Sequence, residues 1–361
     1  YIGDEAAVYG FPELNEQLTI TKDVVSTIEH IGYYMSDIEL LACQVDAALN
    51  SGNSGGPAIS NNKIIGIAFQ AMEDAENIGH IIPPPVINHF LEDIKDGKYD
   101  GIPGLGVEAQ YMENPDMRAY YGMSEMQTGI LITNILPSSP ALNILMSEDV
   151  ILSIGGYKIT NTGTIEFREK ERTSFGYVIQ NKFLGEEIIL KILRDKKLMD
   201  VTILLTQLYN KFALVPYKPL DDPPAYYIYN GFVFQPLTVN LLYEYQLSNI
   251  DYPTNYLYYY DYIQPKQRQE QVVVISYVLA DENNIGYEDY YEEIVMSVNG
   301  KNINTLKDLV DAIENNTGDY HILELEGGAK IIMDKKKADK SNKQILKENW
   351  IGKNKDRSED L

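Results

Sequence analysis

Gln44-Val-Asp-Ala-Ala-Leu-Asn-Ser-Gly-Asn-Ser-Gly-Gly-Pro57 places one hydroxyl, that of Ser54, between glycines on both sides. Gly52, Gly55 and Gly56 can take backbone conformations closed to other residues, and they let a carbonyl from another molecule come close. By itself Gly-x-Ser-x-Gly also fits an ordinary loop. The apolar run Lys63-Ile-Ile-Gly-Ile-Ala-Phe69 that follows at once reads as the next strand of a sheet.

The bulk composition narrows the classes. A chain of 361 residues is long enough for two or three domains, each with its own core. With 44% hydrophobic and 23% charged residues it is neither disordered nor fibrous. A net charge of −23 argues against nucleic acid or an anionic membrane as partner and reads as a solvated acidic surface. The single Cys43 excludes an internal disulfide framework, as in a reducing compartment, and its apolar neighbours place it in a strand core. No run is apolar and long enough for a bilayer, so the expected state is soluble and intracellular, in a compartment left open. Starting at Tyr1 without Met, the chain reads as a piece of something longer.

Upstream of the serine turn lie Tyr9-Gly-Phe-Pro12 and Thr19-Ile-Thr-Lys-Asp-Val-Val-Ser26. Together with Asp46-Ala-Ala-Leu-Asn-Ser-Gly-Asn-Ser-Gly-Gly-Pro-Ala-Ile59 they resemble the nucleophile half of the HtrA/Deg family of serine proteases. The resemblance implies a mainly β fold with some α. A partial trypsin-like (chymotrypsin-fold) β-barrel over residues 1–97 would be the second barrel of the protease domain, followed by two PDZ domains. It implies Ser54 as nucleophile, an oxyanion hole from the amides of Gly52 and Ser54 aided by Asn53, and Ala48 at the base of the S1 pocket. Ala48 offers a buried Lys or Arg no carboxylate, so small or medium aliphatic P1 residues are expected. Residues 71–77 match a family loop beside the active site. The family's histidine and aspartate come from the first barrel. His30, His80, His89 and His321 match neither, so this chain is expected to supply nucleophile and oxyanion hole but not the base.

Beyond residue 97, Leu105-Gly106-Val107, Gly129-Ile-Leu-Ile-Thr-Asn-Ile-Leu-Pro-Ser-Ser-Pro-Ala141 and Glu148-Asp-Val-Ile-Leu-Ser-Ile-Gly-Gly-Tyr157 appear in the order of PDZ signatures. They mark a first PDZ domain over residues 101–212, with residues 105–107 as the loop that holds a peptide carboxylate. An insertion over residues 160–182 resembles the plant-type Deg branch. Its Arg168 and Arg172, four apart, suit either substrate carboxylates or a helix surface exchanging ion pairs. Residues 213–225 hold four prolines and read as a stiff linker.

A second, atypical PDZ domain spans residues 226–335, with Gly231, Phe232, Val233 and Phe234 as a possible second carboxylate loop. Its groove reads as filled by the protein itself or used in assembly. The tyrosine-rich run 243–262 reads as packing, and residues 336–361 as a flexible charged tail.

The reading is an ATP-independent serine endopeptidase of protein quality control. It would act on unfolded proteins and peptides, bind peptide C-termini at its PDZ domains and form trimer-based homo-oligomers, with no cofactor or metal. The alternatives are a non-catalytic PDZ scaffold with chaperone-like peptide binding, and a binding module released by processing near Tyr1.

Overall fold

A computed structural model describes the chain except residues 12–16, 34–37, 47–51, 72–77, 138, 210–211, 219–221, 249–250, 262–269, 353–356 and 359–361. It divides into two compact units, Tyr1–Phe212 and Ala213–Leu361.

The first unit begins with β1 (Glu5–Gly10), β2 (Thr19–Gly32), β3 (Glu39–Val45), β4 (Pro57–Ser60), β5 (Lys63–Ala71) and β6 (Gly79–Ile82). They close into an antiparallel barrel in the order β1-β2-β3-β6-β5-β4, with β4 returning to β1. Alternation drives closure: Ala6 and Val8 on β1, Val25 and Ile28 on β2, and Leu41, Cys43 and Val45 on β3 point into one core. Cys43 belongs to that core, and burial pushes its thiol up to about 11, which leaves it protonated at neutral pH. Helix α1 (Pro84–Asp93), opened by prolines at its first turn, follows the last strand.

The rest of the unit contains β7 (Val107–Tyr111), helix α2 (Pro115–Tyr120), β8 (Ile130–Ile135), β9 (Val150–Ile154), β10 (Tyr157–Lys158), β11 (Thr164–Arg168) and β12 (Glu171–Ser174), which pair as a separate two-stranded hairpin, helix α3 (Gly176–Gln180), β13 (Glu187–Arg194) and β14 (Lys197–Leu204). The main sheet has the order β14-β13-β9-β8-β7, with β10 paired to β9, so β7 ends the order. Asp149, 1% exposed, takes a bidentate grip from Arg194, with both contacts at 2.7 Å, and so ties the turn before β9 to the end of β13. A buried pair of this kind costs more to break on one side than it contributes as a pair.

The part of the insertion that carries Arg168 and Arg172 is a β-hairpin and not a helix. Thr164-Ile-Glu-Phe-Arg168 alternates inward Ile165 with outward Glu166, the period of a strand. Arg168 pairs with Glu171 at 2.8 Å, and Arg172 donates from Nε to Thr164 Oγ1 at 3.1 Å. Phe167 and Tyr177, 5.2 Å apart, pack against the barrel core as well as their own. Gln180, 2% exposed, accepts the Leu41 amide of β3 at 3.0 Å. Barrel and sheet are therefore one packed body within this unit.

The second unit contains β15 (Tyr227–Tyr229), β16 (Phe232–Pro236), α4 (Val239–Leu247), α5 (Thr254–Asp261), β17 (Val273–Val278), β18 (Glu293–Val298), β19 (Lys301–Asn302), α6 (Leu306–Glu314), β20 (Tyr320–Leu325), β21 (Lys330–Asp334) and α7 (Lys335–Glu348). Its sheet runs β15-β16-β17-β18-β20-β21. Two expectations shift here, those for residues 213–225 and for the stretch from Lys335, while the tyrosine-rich run packs as expected. Leu214 and Val215, expected in a linker, are 2% exposed and join a core with Leu237, Leu242 and Tyr256. Tyr256 and Tyr259, from the tyrosine-rich run, fill that same core. The stretch from Lys335, expected to be a charged tail, forms α7: Asp334 caps it through the Lys337 amide, and Ala338, Ser341 and Ile345 recur at helical spacing on its buried side.

His30 on β2 stands beside Gly176 of α3, and its buried Nε2 has no hydrogen-bond partner among the described residues. Burial pulls its pKa from 6.5 down to about 4. The unfolded chain therefore binds this proton more readily than the folded one. The stabilising contribution is complete above pH 6.5, falls as pH drops towards 4 and then levels off. Urea unfolding of the first unit is expected to show midpoints declining through that window, and His30→Gln, which takes up no proton there, should flatten the decline.

Candidate active site

Ser54 sits on a turn between the barrel strands β3 and β4. Gly52 and Gly55 hold φ of +94° and +85°, the left-handed region that a side chain disfavours. The turn is bolted to β5: the Gly55 amide donates to Ala68 O at 2.7 Å, and the Ala68 amide donates to Gly56 O at 2.8 Å. Within the turn the Gly56 amide reaches Asn53 O at 3.0 Å.

Ser54 is exposed, and its Oγ donates to Phe69 O at 3.2 Å. Among the described residues the amides of Gly52 and Ser54 have no carbonyl partner. A buried orphan amide costs about 1–3 kcal/mol, but at this exposed turn water or a ligand oxygen can satisfy both. Asn53 differs from its neighbours: it is 3% exposed, and its Oδ1 is buried without a partner among the described residues. It lies beneath the turn, packed on β1.

That underside is the part of the site that sequence reasoning missed. A Cβ on Gly10 would sit 2.2 Å from Asn53 Oδ1, and a Cβ on Gly56 would sit 2.0 Å from Tyr9 O. Gly10 was legible only as part of a Gly-Phe-Pro turn; nothing in its neighbours announces the contact with Asn53. Ala48 lies outside the described residues, as does most of the acidic loop, residues 72–77.

The histidines are engaged elsewhere. His89 stacks on Phe183 at 4.3 Å and bonds Lys182 O through Nε2 at 3.0 Å. His80 is 3% exposed in β6, where burial lowers its pKa, and His321 belongs to the second unit. No hydrogen bond among the described residues joins a histidine to Ser54. Nor do those residues gather three or more His, Cys, Asp or Glu in a metal-holding group.

At the first PDZ loop Gly106 has φ +62°, and its carbonyl accepts the Leu136 amide at 2.9 Å. Ser139, buried at 6% exposure, donates from Oγ to Leu105 O at 2.5 Å. The carbonyls are thus turned inward, while the amides of Leu105 and Gly106 have no backbone partner among the described residues. Val107 opens β7, the last strand in the order among the described residues. In the second unit Gly231 has φ +87° and follows Asn230 at φ +50°, the pair of values of a tight hairpin turn. Phe232 and Phe234 are 0% exposed, and a Cβ on Gly231 would meet Leu279 O at 2.3 Å. Gly231, Phe232, Val233 and Phe234 therefore form a closed turn and a core strand where an open carboxylate loop was expected.

A closed barrel with an exposed serine on a glycine turn, followed by a sheet with β7 at the end of its strand order, is the arrangement expected of the nucleophile half of a serine protease joined to a PDZ domain. The chain belongs to the HtrA/Deg family. It is 40% identical over 352 residues to the Do-like protease 13 of Arabidopsis thaliana, covering 97% of this chain and 67% of the relative. It is 37% identical over 346 residues to the mitochondrial protease Do-like 4 of the same plant, covering 96% and 64%. The chain thus spans about two thirds of the length of these relatives. A family model described as a PDZ domain matches residues 215–360. Among solved structures, the HtrA-type protease AlgW with decapeptide has a TM-score of 0.42 and 23% identity over 57% of this chain and 61% of that one. No described helix is long and apolar enough to cross a membrane.

Gly10→Ala is expected to push a methyl group into Asn53 and cost about 1–3 kcal/mol of unfolding free energy, the usual range for overpacking. Ala7→Gly on the same strand, away from the turn, serves as control. Urea denaturation of both variants checks it, and equal losses would remove the special role of Gly10.

Proposed function

We propose that this chain carries the nucleophile and oxyanion hole of an endopeptidase that degrades unfolded or damaged proteins without ATP. Ser54 Oγ attacks the scissile carbonyl, the C–N bond breaks and the amine half leaves with the proton taken from Ser54, and water then hydrolyses the acyl-enzyme to release the acid half and restore the hydroxyl. The amides of Gly52 and Ser54 hold the oxyanion, and Asn53 supports them from beneath the turn. The base that takes the Ser54 proton comes from residues upstream of this chain. The observation that carries the reading is the exposed Ser54 on a turn fastened to β5, with the amides of Gly52 and Ser54 lacking a carbonyl partner among the described residues. Residues 105–107 would hold the carboxylate of a peptide that adds to β7. Ala48 would favour small or medium aliphatic P1 residues.

The test uses the protein extended upstream through the first barrel. A fluorophosphonate probe should label Ser54 there, and Ser54→Ala should lower hydrolysis of an unfolded protein by about a thousand-fold or more. Cleavage products should carry aliphatic P1 residues. Normal proteolysis by Ser54→Ala would overturn the nucleophile assignment, and a majority of Lys or Arg at P1 would overturn the pocket assignment. We further propose a trimer-based homo-oligomer for the extended chain. Light scattering should return a multiple of three protomers, and a monomer at micromolar concentration would end that reading.

A further inference from the structure

The two PDZ domains share one chain order. Strands β7, β8, β9 and β10, a helix, and strands β13 and β14 in the first correspond to β16, β17, β18 and β19, helix α6, and strands β20 and β21 in the second. By this correspondence β16 stands where β7 does. β7 ends the strand order among the described residues, whereas the corresponding edge of β16 is paired along Tyr227↔Phe234, Ile228↔Val233 and Tyr229↔Phe232 with β15. Tyr227, Ile228 and Tyr229 are 3%, 6% and 5% exposed, and the two tyrosines share a core with Phe232, Phe234 and the α6 residues Leu306, Leu309 and Val310.

We propose that the strand-adding groove of the second PDZ domain is filled in cis by Tyr227–Tyr229, and that this domain takes a peptide only when β15 leaves. The ligand class follows from the occupant: an extended segment with aromatic side chains at alternate positions.

The occupant is fastened on three sides. The Asn230–Gly231 turn joins it to β16, with the Asn230 amide donating to Asn342 Oδ1 of α7 at 3.0 Å. Tyr229 Oη donates to Asp339 Oδ1 of α7 at 2.8 Å and lies 3.0 Å from His321 Nε2. On the far edge the Ser358 amide donates to Tyr226 O at 3.0 Å, while Arg357 lies over the Tyr227 ring and pairs with Glu314 of α6. A strand tethered by a two-residue turn acts at an effective concentration on the order of millimolar or above, so micromolar free peptide does not displace it. The inference does not depend on Ser54 chemistry and survives if the protease reading fails.

The probe is a fluorescent hexapeptide copying residues 225–230, Ala-Tyr-Tyr-Ile-Tyr-Asn, amidated so that it offers no carboxylate to residues 105–107. Anisotropy titrations use the whole chain, unaltered and carrying Tyr227→Gly with Tyr229→Gly. The unaltered chain should show no saturable binding, and the double variant should bind at least about tenfold more tightly. Equal binding by both would overturn the proposal, as would a variant that keeps its β-sheet circular dichroism and binds nothing. If the variant unfolds, hydrogen exchange of the unaltered chain decides. Amides of residues 232–235 should exchange about as slowly as Val274 and Ile275, and about a hundredfold more slowly than the outward amides of β7. Exchange at the rate of β7 would overturn it.

Discussion

At Tyr9 and Gly10 the first strand of the barrel runs so close beneath the serine turn that neither side has room for a methyl group. The approach fixes the turn from below, as the amide exchange with Ala68 fixes it from the side. A nucleophile gains most when its neighbours cannot move as charge develops, because donors already in place need no reorganisation. Here that rigidity comes from absence: glycine at two positions removes the side chains that would hold the strands apart. Asn53 then fills the space between them, and leaves a buried oxygen without a partner among the described residues.

How much of this could be read beforehand differed by region, and the reason is locality. The serine turn, the strand after it and the order of the PDZ signatures are written in short contiguous stretches, so pattern and resemblance reached them. Gly10 acts on Asn53 across 43 positions of sequence, and nothing local marks such a contact. The insertion could be misread as a helix because Arg168 and Arg172 are four apart. The alternation of Ile165 with Glu166, and the pairing of Arg168 back to Glu171, show which period governs. The stretch from Lys335 looked like a tail because its charges dominate; only Ala338, Ser341 and Ile345 face inward, enough for one helix side.

The contrast between the two PDZ domains rests on a few backbone atoms. In the first, Leu105 and Gly106 turn their carbonyls towards Ser139 and Leu136, and their amides have no backbone partner among the described residues. In the second, Asn230 and Gly231 tighten the corresponding corner into a hairpin, and the preceding strand falls onto the edge it would otherwise leave open. A change in turn geometry is enough to separate a strand that ends its sheet from one covered by a further strand, with the surrounding strand order kept.

Phe167 and Tyr177 belong to two cores at once, and this bears on how such chains can be recombined. A crossover near residues 97–101 looks natural on paper, since one barrel ends and one sheet begins there. It would strip two aromatic rings from the barrel and leave the Leu41 amide without Gln180. A crossover after Phe212 cuts no such shared packing within the first unit. The segment that can be inherited or grafted as a piece is therefore barrel plus first PDZ domain, and the sequence boundary between them is not a joint.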